Sequence, residues 1–319
     1  MKTLILIASL FFAMPLLAYE AFRLDEFEPS PVQRQLMDID HVQQHFALAP
    51  DGAIWLMGET SFWRWYPLTG AVSKLLVKGI LPSLKMVEDV EYHRGEALII
   101  SASRVWRVNL KTGELNVLSG KWDDRCTQSR FAKEKSRILV SNSCGIFFLN
   151  QKKNSIVTLK VPSDIQGLTF LTGGYEDGVL IGGKSKNLYR ISIDQDQISR
   201  ELQYVSKSNL SGVDLANGYV YAWHEKVLAV LDPNNLSQIQ IVPNISTRKL
   251  SFFAASADLH IALFNDGTIE LMYLPTKRKF ANRLVDFDVN RMTLEPGAAF
   301  LVLTGLSFPR VIDLTTLMK

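Results

Sequence analysis

The sequence is poor in cysteine and has no excess of charge of one sign. Two cysteines among 319 residues are too few for a disulfide-rich scaffold or a zinc site made of thiolates. The 35 basic residues are offset by 32 acidic ones, so the net charge of +3 does not indicate a surface for nucleic acid or another polyanion. Hydrophobic residues make up 47% and charged residues 21% of the chain, which excludes a disordered or collagenous protein.

The sequence also gives no support for nucleophilic catalysis. No Gly-x-Ser-x-Gly pattern marks a nucleophilic serine. We interpret Gly173-Gly174 and Gly182-Gly183 as turn and strand-edge glycines. Lys184 and Ser185 follow the second pair, as in a phosphate-binding loop, but this pair lies in the strand pattern of the fourth copy. The basic stretch Lys133-Glu134-Lys135 falls where a turn between strands is expected, and we interpret it as a solvated hairpin tip. The absence of a recognisable catalytic set favours binding over catalysis.

The longest apolar run lies at the N-terminus. Lys2 is followed by a run from Leu4 to Leu17, with Ala18 directly after it. A basic start, an apolar stretch of about 7–15 residues and a small residue at its end are typical of a secretory signal peptide. The run is shorter than the about 20 residues that cross a bilayer, although an uncleaved anchor helix is the alternative. No cysteine follows it, so a lipoprotein anchor is not expected.

We therefore expect residues 1–18 to be a signal peptide and residues 19–319 to be a single domain in a periplasm or outside the cell. No later segment is long and apolar enough to cross a membrane. In such an oxidising compartment an isolated pair of cysteines usually joins, so we expect a disulfide between Cys126 and Cys144. Two separate buried thiols are the alternative.

A repeat of about 43 residues runs through the rest of the chain. Trp63-Arg64-Trp65 and Thr69-Gly70 return 43 residues later as Trp106-Arg107-Val108 and Thr112-Gly113, without a gap. One anchor position in each copy gives residues 63, 106, 147, 189, 228, 271 and 310, which are spaced by 43, 41, 42, 39, 43 and 39 residues. Because internal periods of this size indicate repeat folds, we read the chain as seven copies of one unit.

Each copy has the pattern of short strands. Runs rich in Val, Ile, Leu and aromatic residues alternate with turn signals such as Asp-Gly, Thr-Gly and Asn-Gly. The first copy predicts strands near 45–49, 53–58, 61–66 and 71–77. Four antiparallel strands in a repeat of about 40–45 residues are the pattern of a propeller blade. The predicted fold class is all-β, a seven-bladed β-propeller in which neighbouring blades bury each other's faces.

The two ends of the chain are predicted to close the ring. The last copy predicts strands near 285–292, 298–304 and 307–313, and its fourth, outer strand is missing. We expect the N-terminal segment 19–44 to supply that strand from Val32–Ile39. A helix over residues 30–40 would contradict this expectation.

The repeats resemble those of the quinoprotein-like, YVTN and WD-repeat propellers. The resemblance rests on Val105 to Gly113 and on Phe62 to Gly70, which look like the third strand and following turn of such repeats. It implies the fold rather than a function. The adjacent cysteine pair of quinone-dependent dehydrogenases is absent, as is the Gly-His landmark of WD repeats. The single Trp-Asp pair, Trp122-Asp123, does not recur in the other copies. The phrase from Pro50 to Trp55 is similar to one repeat of streptogramin-lyase and sensor-type propellers.

Charged residues near the starts of the innermost strands are the candidates for a site at the channel mouth. They are Glu88, Asp89, Arg125, Asp214, Arg248, Asp286 and Asp288. Converging carboxylates could hold Ca²⁺, which takes six to eight oxygen ligands, and such a metal would suit a lactonase-like or lyase-like propeller. The alternative is a water-filled channel in which arginine and lysine neutralise these carboxylates.

The sequence as a whole favours a non-catalytic module for protein–protein interaction or scaffolding. The expected partners are other envelope or secreted proteins, and nucleic acid is not expected. We expect a monomer or part of a hetero-complex. A metal-dependent lactonase or lyase and a propeller that binds carbohydrate or peptidoglycan are the alternatives.

Overall fold

The computed structural model describes residues 20–21, 25–134, 137–150, 152–165, 168, 170–173, 180–194, 197–224, 227–242, 248–284, 288–305 and 308–317. The predicted signal segment 1–18 lies outside these residues. Three short elements precede the repeats: β1 (Glu20–Ala21), β2 (Glu26–Phe27) and helix α1 (Pro31–Ile39). Within the described residues, no helix has the length and apolar character needed to span a bilayer.

The repeats form seven sheets of four antiparallel strands. Blade 1 contains β3 (Phe46–Leu48), β4 (Ile54–Met57), β5 (Ser61–Tyr66) and β6 (Ala71–Leu76). Blade 2 contains β7 (Val87–His93), β8 (Glu96–Ser101), β9 (Arg104–Asn109) and β10 (Leu115–Val117). Blade 3 contains β11 (Arg130–Glu134), β12 (Arg137–Asn142), β13 (Gly145–Asn150) and β14 (Ser155–Thr158). Blade 4 contains β15 (Phe170–Gly173), β16 (Leu180–Lys184), β17 (Asn187–Asp194) and β18 (Gln197–Val205).

The remaining blades follow the same order. Blade 5 contains β19 (Gly212–Ala216), β20 (Tyr219–His224), β21 (Val227–Leu231) and β22 (Gln238–Val242). Blade 6 contains β23 (Leu250–Ala255), β24 (Leu259–Phe264), β25 (Thr268–Tyr273) and β26 (Arg278–Arg283), and β1 adds a parallel fifth strand to its outer edge. Blade 7 contains β27 (Arg291–Leu294), β28 (Phe300–Thr304), β29 (Arg310–Asp313) and β2. Short 3-10 helices cover Leu84–Met86 and Ser163–Ile165.

The turn signals of the sequence repeat occupy equivalent turns in the blades. Gly70 and Gly113 follow the third strands of blades 1 and 2, with φ angles of 69° and 75°. L-residues with a side chain disfavour this left-handed region, whereas glycine adopts it readily. The Thr-Gly pairs therefore end the third strand at the same point in both repeats.

The core of the ring lies between the blades. A cluster of buried apolar side chains occupies each of the seven boundaries between neighbouring sheets. Phe62 of blade 1 packs with Ile99 of blade 2, and Phe300 of blade 7 packs with Trp65 of blade 1. Since each sheet buries both faces in this way, the seven copies form one closed ring of blades, as the repeat predicted.

The N-terminal closing strand is confirmed, but its predicted position is wrong. β2, not the segment 32–39, pairs antiparallel with β29 through Phe27 and Val311. Arg310 Nε also donates to Glu26 Oε1 at 3.0 Å, which ties the two termini together.

Residues 31–39 form α1 because the sequence before them is a helix start. Ser30 Oγ accepts from the Gln33 backbone N–H at 3.3 Å, and Gln33 Oε1 accepts from the Ser30 backbone N–H at 2.8 Å. This capping box, with Pro31 at the first helical position, starts a helix, and the apolar residues that follow recur at helix spacing.

Helix α1 is fixed to blade 1 at its C-terminal end. Met37 is fully buried in the cluster between blades 7 and 1. Asp40, which caps the helix, accepts hydrogen bonds from Trp63 Nε1 at 2.8 Å, from Thr60 Oγ1 at 2.9 Å and from Ser61 Oγ. These donors hold the pKa of Asp40 below its usual value, although burial opposes them. A side chain at Gly58 would collide with the Asp40 carboxylate, so only glycine fits there.

The strand order divides the loops between two faces of the ring. Ser61 pairs with Leu76, so the turn between the second and third strands opens on the same face as the end of the fourth strand. The connections to the next blade therefore lie on that face as well, and α1 is the connection from blade 7 to blade 1. We call this the α1 face, and we call the side that carries the other turns the opposite face.

Candidate functional site

The innermost strands enclose a central channel that contains two cavities. The larger cavity, of about 860 Å³, opens towards the α1 face and is lined by residues that include His45, Glu88, Asp89, Arg130 and Arg291. A second cavity of about 590 Å³ is lined by β19, β23 and β27. Glu91, Val213, Asn290 and Arg291 line both cavities, so the two are parts of one channel.

Ion pairs cross the channel wall between blades. Arg291 Nη1 of blade 7 lies 3.0 Å from Asp89 Oδ1 of blade 2, and its guanidinium stacks 5.1 Å from the ring centroid of Phe46 in blade 1. Lys133 Nζ of blade 3 lies 2.6 Å from Glu91 Oε1 of blade 2. These carboxylates are therefore already neutralised by cations of neighbouring blades.

Backbone groups of blade 3 occupy the remaining oxygens of the blade 2 carboxylates. Ser129 N donates to Glu88 Oε2 at 2.7 Å, and Phe131 N donates to Asp89 Oδ2 at 2.9 Å. Arg130 Nη1 donates to the Glu88 carbonyl at 2.7 Å. Hydrogen bonds from the backbone to a charged carboxylate are among the stronger ones in proteins, so these contacts fasten blade 2 to blade 3.

Among the described residues, the geometry does not support the calcium alternative. Among the described residues, no three carboxylate, imidazole or thiolate side chains lie together as metal ligands. The oxygens of Glu88, Asp89 and Glu91 instead face arginine, lysine and backbone N–H groups.

Asp214 differs from the other channel carboxylates. Its Oδ1 accepts from the backbone N–H of the next residue, Leu215, at 2.9 Å. Among the described residues, no lysine or arginine forms an ion pair with its carboxylate. Burial in the channel wall raises the pKa of Asp214 to about 6, because the charged form loses hydration without gaining a cation.

The sequence-predicted site residues do not all reach the channel. Glu88, Asp89 and Asp214 line it. Arg125 lies in the loop before blade 3, exposed, with its Nη2 2.5 Å from Asp123 Oδ2. Arg248 pairs with the buried Glu270 and stacks 4.5 Å from the centroid of Phe264. Asp288 is exposed just before blade 7, and Asp286 lies outside the described residues.

Sequence reasoning missed the cations of the channel. Arg130, Lys133 and Arg291 lie in innermost strands, whereas Lys133 was interpreted as part of a hairpin tip. Aligning the copies residue by residue could have assigned these three residues to innermost strands. Arg130 and Arg291 each begin the first strand of a copy, where a charged side chain reaches the channel wall.

The predicted disulfide is confirmed and lies beside the channel mouth. Cys126 and Cys144 are joined across a Cα–Cα distance of 5.5 Å. They link the connection before blade 3 to the turn between β12 and β13 on the α1 face. Thr127 N donates to Ser143 Oγ at 3.0 Å, and Ser143 N donates to the Thr127 carbonyl at 3.1 Å. The bridge therefore fixes the loop that carries Gln128 into the larger cavity.

Exposed apolar side chains are concentrated on the α1 face. Of the eight large hydrophobic side chains that are exposed among the described residues, Leu68 lies on the opposite face. The other seven lie at strand ends, connections or the helix of the α1 face: Val32, Leu36, Ile39, Leu76, Ile80, Met86 and Val205. Val32, Leu36 and Ile39 follow the i, i+4, i+7 spacing of one helix stripe, and Ile80 is 88% exposed.

Among the described residues three histidines are buried, and two of them, His93 and His260, have lowered pKa values. Burial, together with Arg94 and Lys133, lowers the pKa of His93 to about 4, and its Nε2 has no hydrogen-bond partner among the described residues. Burial likewise lowers the pKa of His260 to about 4, where its ring contacts Tyr221 and Phe253 edge-on. Both imidazoles are therefore neutral at physiological pH.

Comparison with known proteins supports the architecture. No family model matches the sequence, and no curated protein matches it. A chain of the crystal structure of the mitotic checkpoint complex superposes with a TM-score of 0.65 at 9% identity, over 94% of this chain and 96% of that one. The chain is a seven-bladed β-propeller. Because 1392 solved chains match it in structure, this likeness identifies a widely used fold and no single activity.

Proposed function

We propose that this propeller is an exported, non-catalytic module that binds other envelope or secreted proteins through its α1 face. The observation that carries the proposal is the concentration of exposed apolar side chains on that face. Single exposed apolar residues are ordinary on protein surfaces, whereas their accumulation on one face is typical of interaction sites.

Helix α1 offers the best-defined contact surface on this face. Met37 anchors one side of the helix in the ring, while Val32, Leu36 and Ile39 point away from it. The stripe resembles the anchor spacing by which a helix packs into the groove of a partner. Ile80 and Met86 lie in the next connection around the ring, so a partner on α1 can reach them across blade 1.

Export is supported by the disulfide and by the N-terminal run. A bond between Cys126 and Cys144 persists in an oxidising compartment, whereas cytosolic reductants keep most thiols reduced. Cell fractionation followed by N-terminal sequencing tests this part of the proposal. We expect the chain in the exported fraction with Tyr19 as its first residue. A full-length chain in the cytosol would contradict the export proposal.

Protein binding is supported by the architecture, since one of the structural neighbours is a chain of the mitotic checkpoint complex. The test is affinity capture from native cells with three versions of the chain. We expect the wild type and Leu68→Asp, the opposite-face control, to retain the same partner, and Leu36→Asp to lose it. Equal recovery with all three versions, or no stable partner for the wild type, would overturn the proposal.

A further inference from the structure

Asp214 lines the cavity of about 590 Å³ and places a carboxylate on its wall. No cation among the described residues forms an ion pair with this carboxylate. The lining residues of the cavity come mainly from the innermost strands of blades 5, 6 and 7. The charged members of this lining are Glu91, Asp214 and Arg291. Glu91 pairs with Lys133, and Arg291 pairs with Asp89, so both of these charges are satisfied by neighbouring blades.

The repeat shows which position should hold the missing cation. Glu91 lies opposite Leu98, the third residue of β8, and Asp214 lies opposite Tyr221, the third residue of β20. The two carboxylates thus occupy the same place in blades 2 and 5. In each case the next blade around the ring faces the carboxylate with its own innermost strand.

Blade 3 and blade 6 differ at the residue that faces this place. Lys133 lies opposite Ile138, the second residue of β12, and Ala255 lies opposite His260, the second residue of β24. Ala255 therefore occupies the position from which Lys133 reaches Glu91. Where blade 3 has an ammonium group, blade 6 has a methyl group, and both Ala255 and Asp214 line the cavity.

We propose that this cavity binds a primary alkylammonium group from outside the chain. Asp214 is its counter-ion, and the ammonium group occupies the space next to Ala255. The ligand replaces the lysine that the repeat lacks at this boundary. Trp223, Phe252 and Phe253 also line the cavity, and their rings provide contact for an aliphatic chain attached to the ammonium group.

Other features of the wall fit a cation better than an anion. The Trp223 indole N–H already donates to the Ser251 carbonyl at 3.2 Å, so it is engaged within the protein. The half-buried Asp214 carboxylate loses part of its hydration without gaining a cation, and an ammonium ligand compensates for that loss. The ammonium group can belong to a free amine or to a lysine side chain of a bound polypeptide.

Binding is tested by nuclear magnetic resonance titration of the full mature chain with two probes. Butylammonium represents a free amine, and the capped tripeptide acetyl-Ala-Lys-Ala-amide represents a lysine within a chain. We expect at least one of them to shift the resonances of Asp214 and Leu215 with saturation at millimolar concentration. Butanol, which has the same chain without the charge, should leave them in place. Binding of butylammonium alone indicates a free amine, and tighter binding of the tripeptide indicates a polypeptide lysine.

Two variants locate the site. Asp214→Asn keeps the shape of the side chain and removes its charge, and we expect binding to weaken by about tenfold or more. Ala255→Lys supplies the missing lysine within the chain. We expect it to abolish binding of the probe and to lower the pKa of Asp214, since an internal ammonium group then faces the carboxylate. Ala255→Met is the control of similar length without charge, and the Asp214 pKa should not fall in this variant.

The proposal is overturned if neither probe binds the wild type at tens of millimolar. It is also overturned if Asp214→Asn binds as well as the wild type, or if Ala255→Lys leaves both the binding and the Asp214 titration unchanged. None of these outcomes bears on the α1 face, because Asp214 and Ala255 lie in innermost strands of the channel wall and not among the exposed apolar residues of that face.

Discussion

The disulfide beside the channel mouth makes a quantitative prediction about stability. Cys126 and Cys144 are separated by 18 residues in the sequence. Closing a loop of this length removes conformational entropy from the unfolded chain, which corresponds to about 3 kcal/mol at 25 °C on the chain-entropy model. The double variant Cys126→Ser/Cys144→Ser should therefore unfold with a free energy about 3 kcal/mol lower than the wild type.

The same change should be visible as a shift in melting temperature. Unfolding entropy amounts to about 2.1 cal/mol/K per residue, so for a domain of this size a loss of 3 kcal/mol lowers Tm by roughly 5 °C. Calorimetry of the wild type with and without reductant, and of the double variant, measures the shift. Reductant should lower the Tm of the wild type to that of the double variant, and it should leave the double variant unchanged.

The fold around the bridge should survive its loss. The two hydrogen bonds between Thr127 and Ser143 remain, and Cys126 packs in the cluster between blades 2 and 3. We therefore expect unchanged secondary structure by circular dichroism. Equal Tm values for the wild type and the double variant would refute the reasoning, because the loop would then gain nothing from its closure.

Three further predictions concern α1 and the buried titratable groups. Met37→Ala should destabilise the ring by about 3 kcal/mol in a denaturant titration because it leaves a cavity at a fully buried site, whereas Leu36→Ala on the exposed side should change stability by less than about 0.5 kcal/mol. Asp40→Ala should lower the free energy of unfolding by about 3 kcal/mol, because the blade 1 donors that face the carboxylate lose their acceptor. A change near zero would contradict the role given to Asp40 in fixing α1 to blade 1. His93 is neutral in the fold with a pKa of about 4, against about 6.5 in the unfolded chain, so its contribution is present above pH 6.5 and is lost as the pH falls towards 4. We expect this loss to reach about 3 kcal/mol, and His93→Gln should remove that part of the pH dependence in unfolding measured from pH 7 to pH 4.

The architecture was predictable because one pattern occurs seven times. The interval that relates Trp63 to Trp106 also relates Gly70 to Gly113, and the structure places each pair at equivalent points of two blades. Where the strand pattern of one copy is weak, the other copies show where its strands should lie. The number and order of the strands could therefore be predicted from the repeat length.

The predicted position of the closing strand was wrong because the N-terminal segment is not part of the repeat, so no other copy could be compared with it. In residues 32–39 the apolar side chains of Val32, Leu36 and Ile39 recur at helix spacing and do not alternate as in a strand. Ser30, Pro31 and Gln33 add a helix start before them. Glu26 and Phe27 form the strand that closes blade 7 instead. Two residues are too few to show the alternating pattern of a strand.

The candidate site was only partly predictable, since contacts across the ring leave little trace in local sequence. Arg291 reaches Asp89 over blade 1, although 202 residues separate them in the chain. Conversely, Arg125 pairs with Asp123 of its own loop, and Arg248 pairs with Glu270 of blade 6. Neither arginine lines the described channel cavities. The proposed role of Asp214 depends on what faces it from blade 6, which the pairing of strands reveals and composition does not.

The central claim is that the α1 face contacts a partner protein, and site-specific photo-crosslinking in living cells tests it most directly. A photo-reactive amino acid is placed at Leu36 on the α1 face and, as the matched exposed control, at Leu68 on the opposite face. We predict that Leu36 forms a discrete adduct with a protein of the exported fraction and that Leu68 forms none. An adduct at Leu68 alone, or none at either position, would contradict the account.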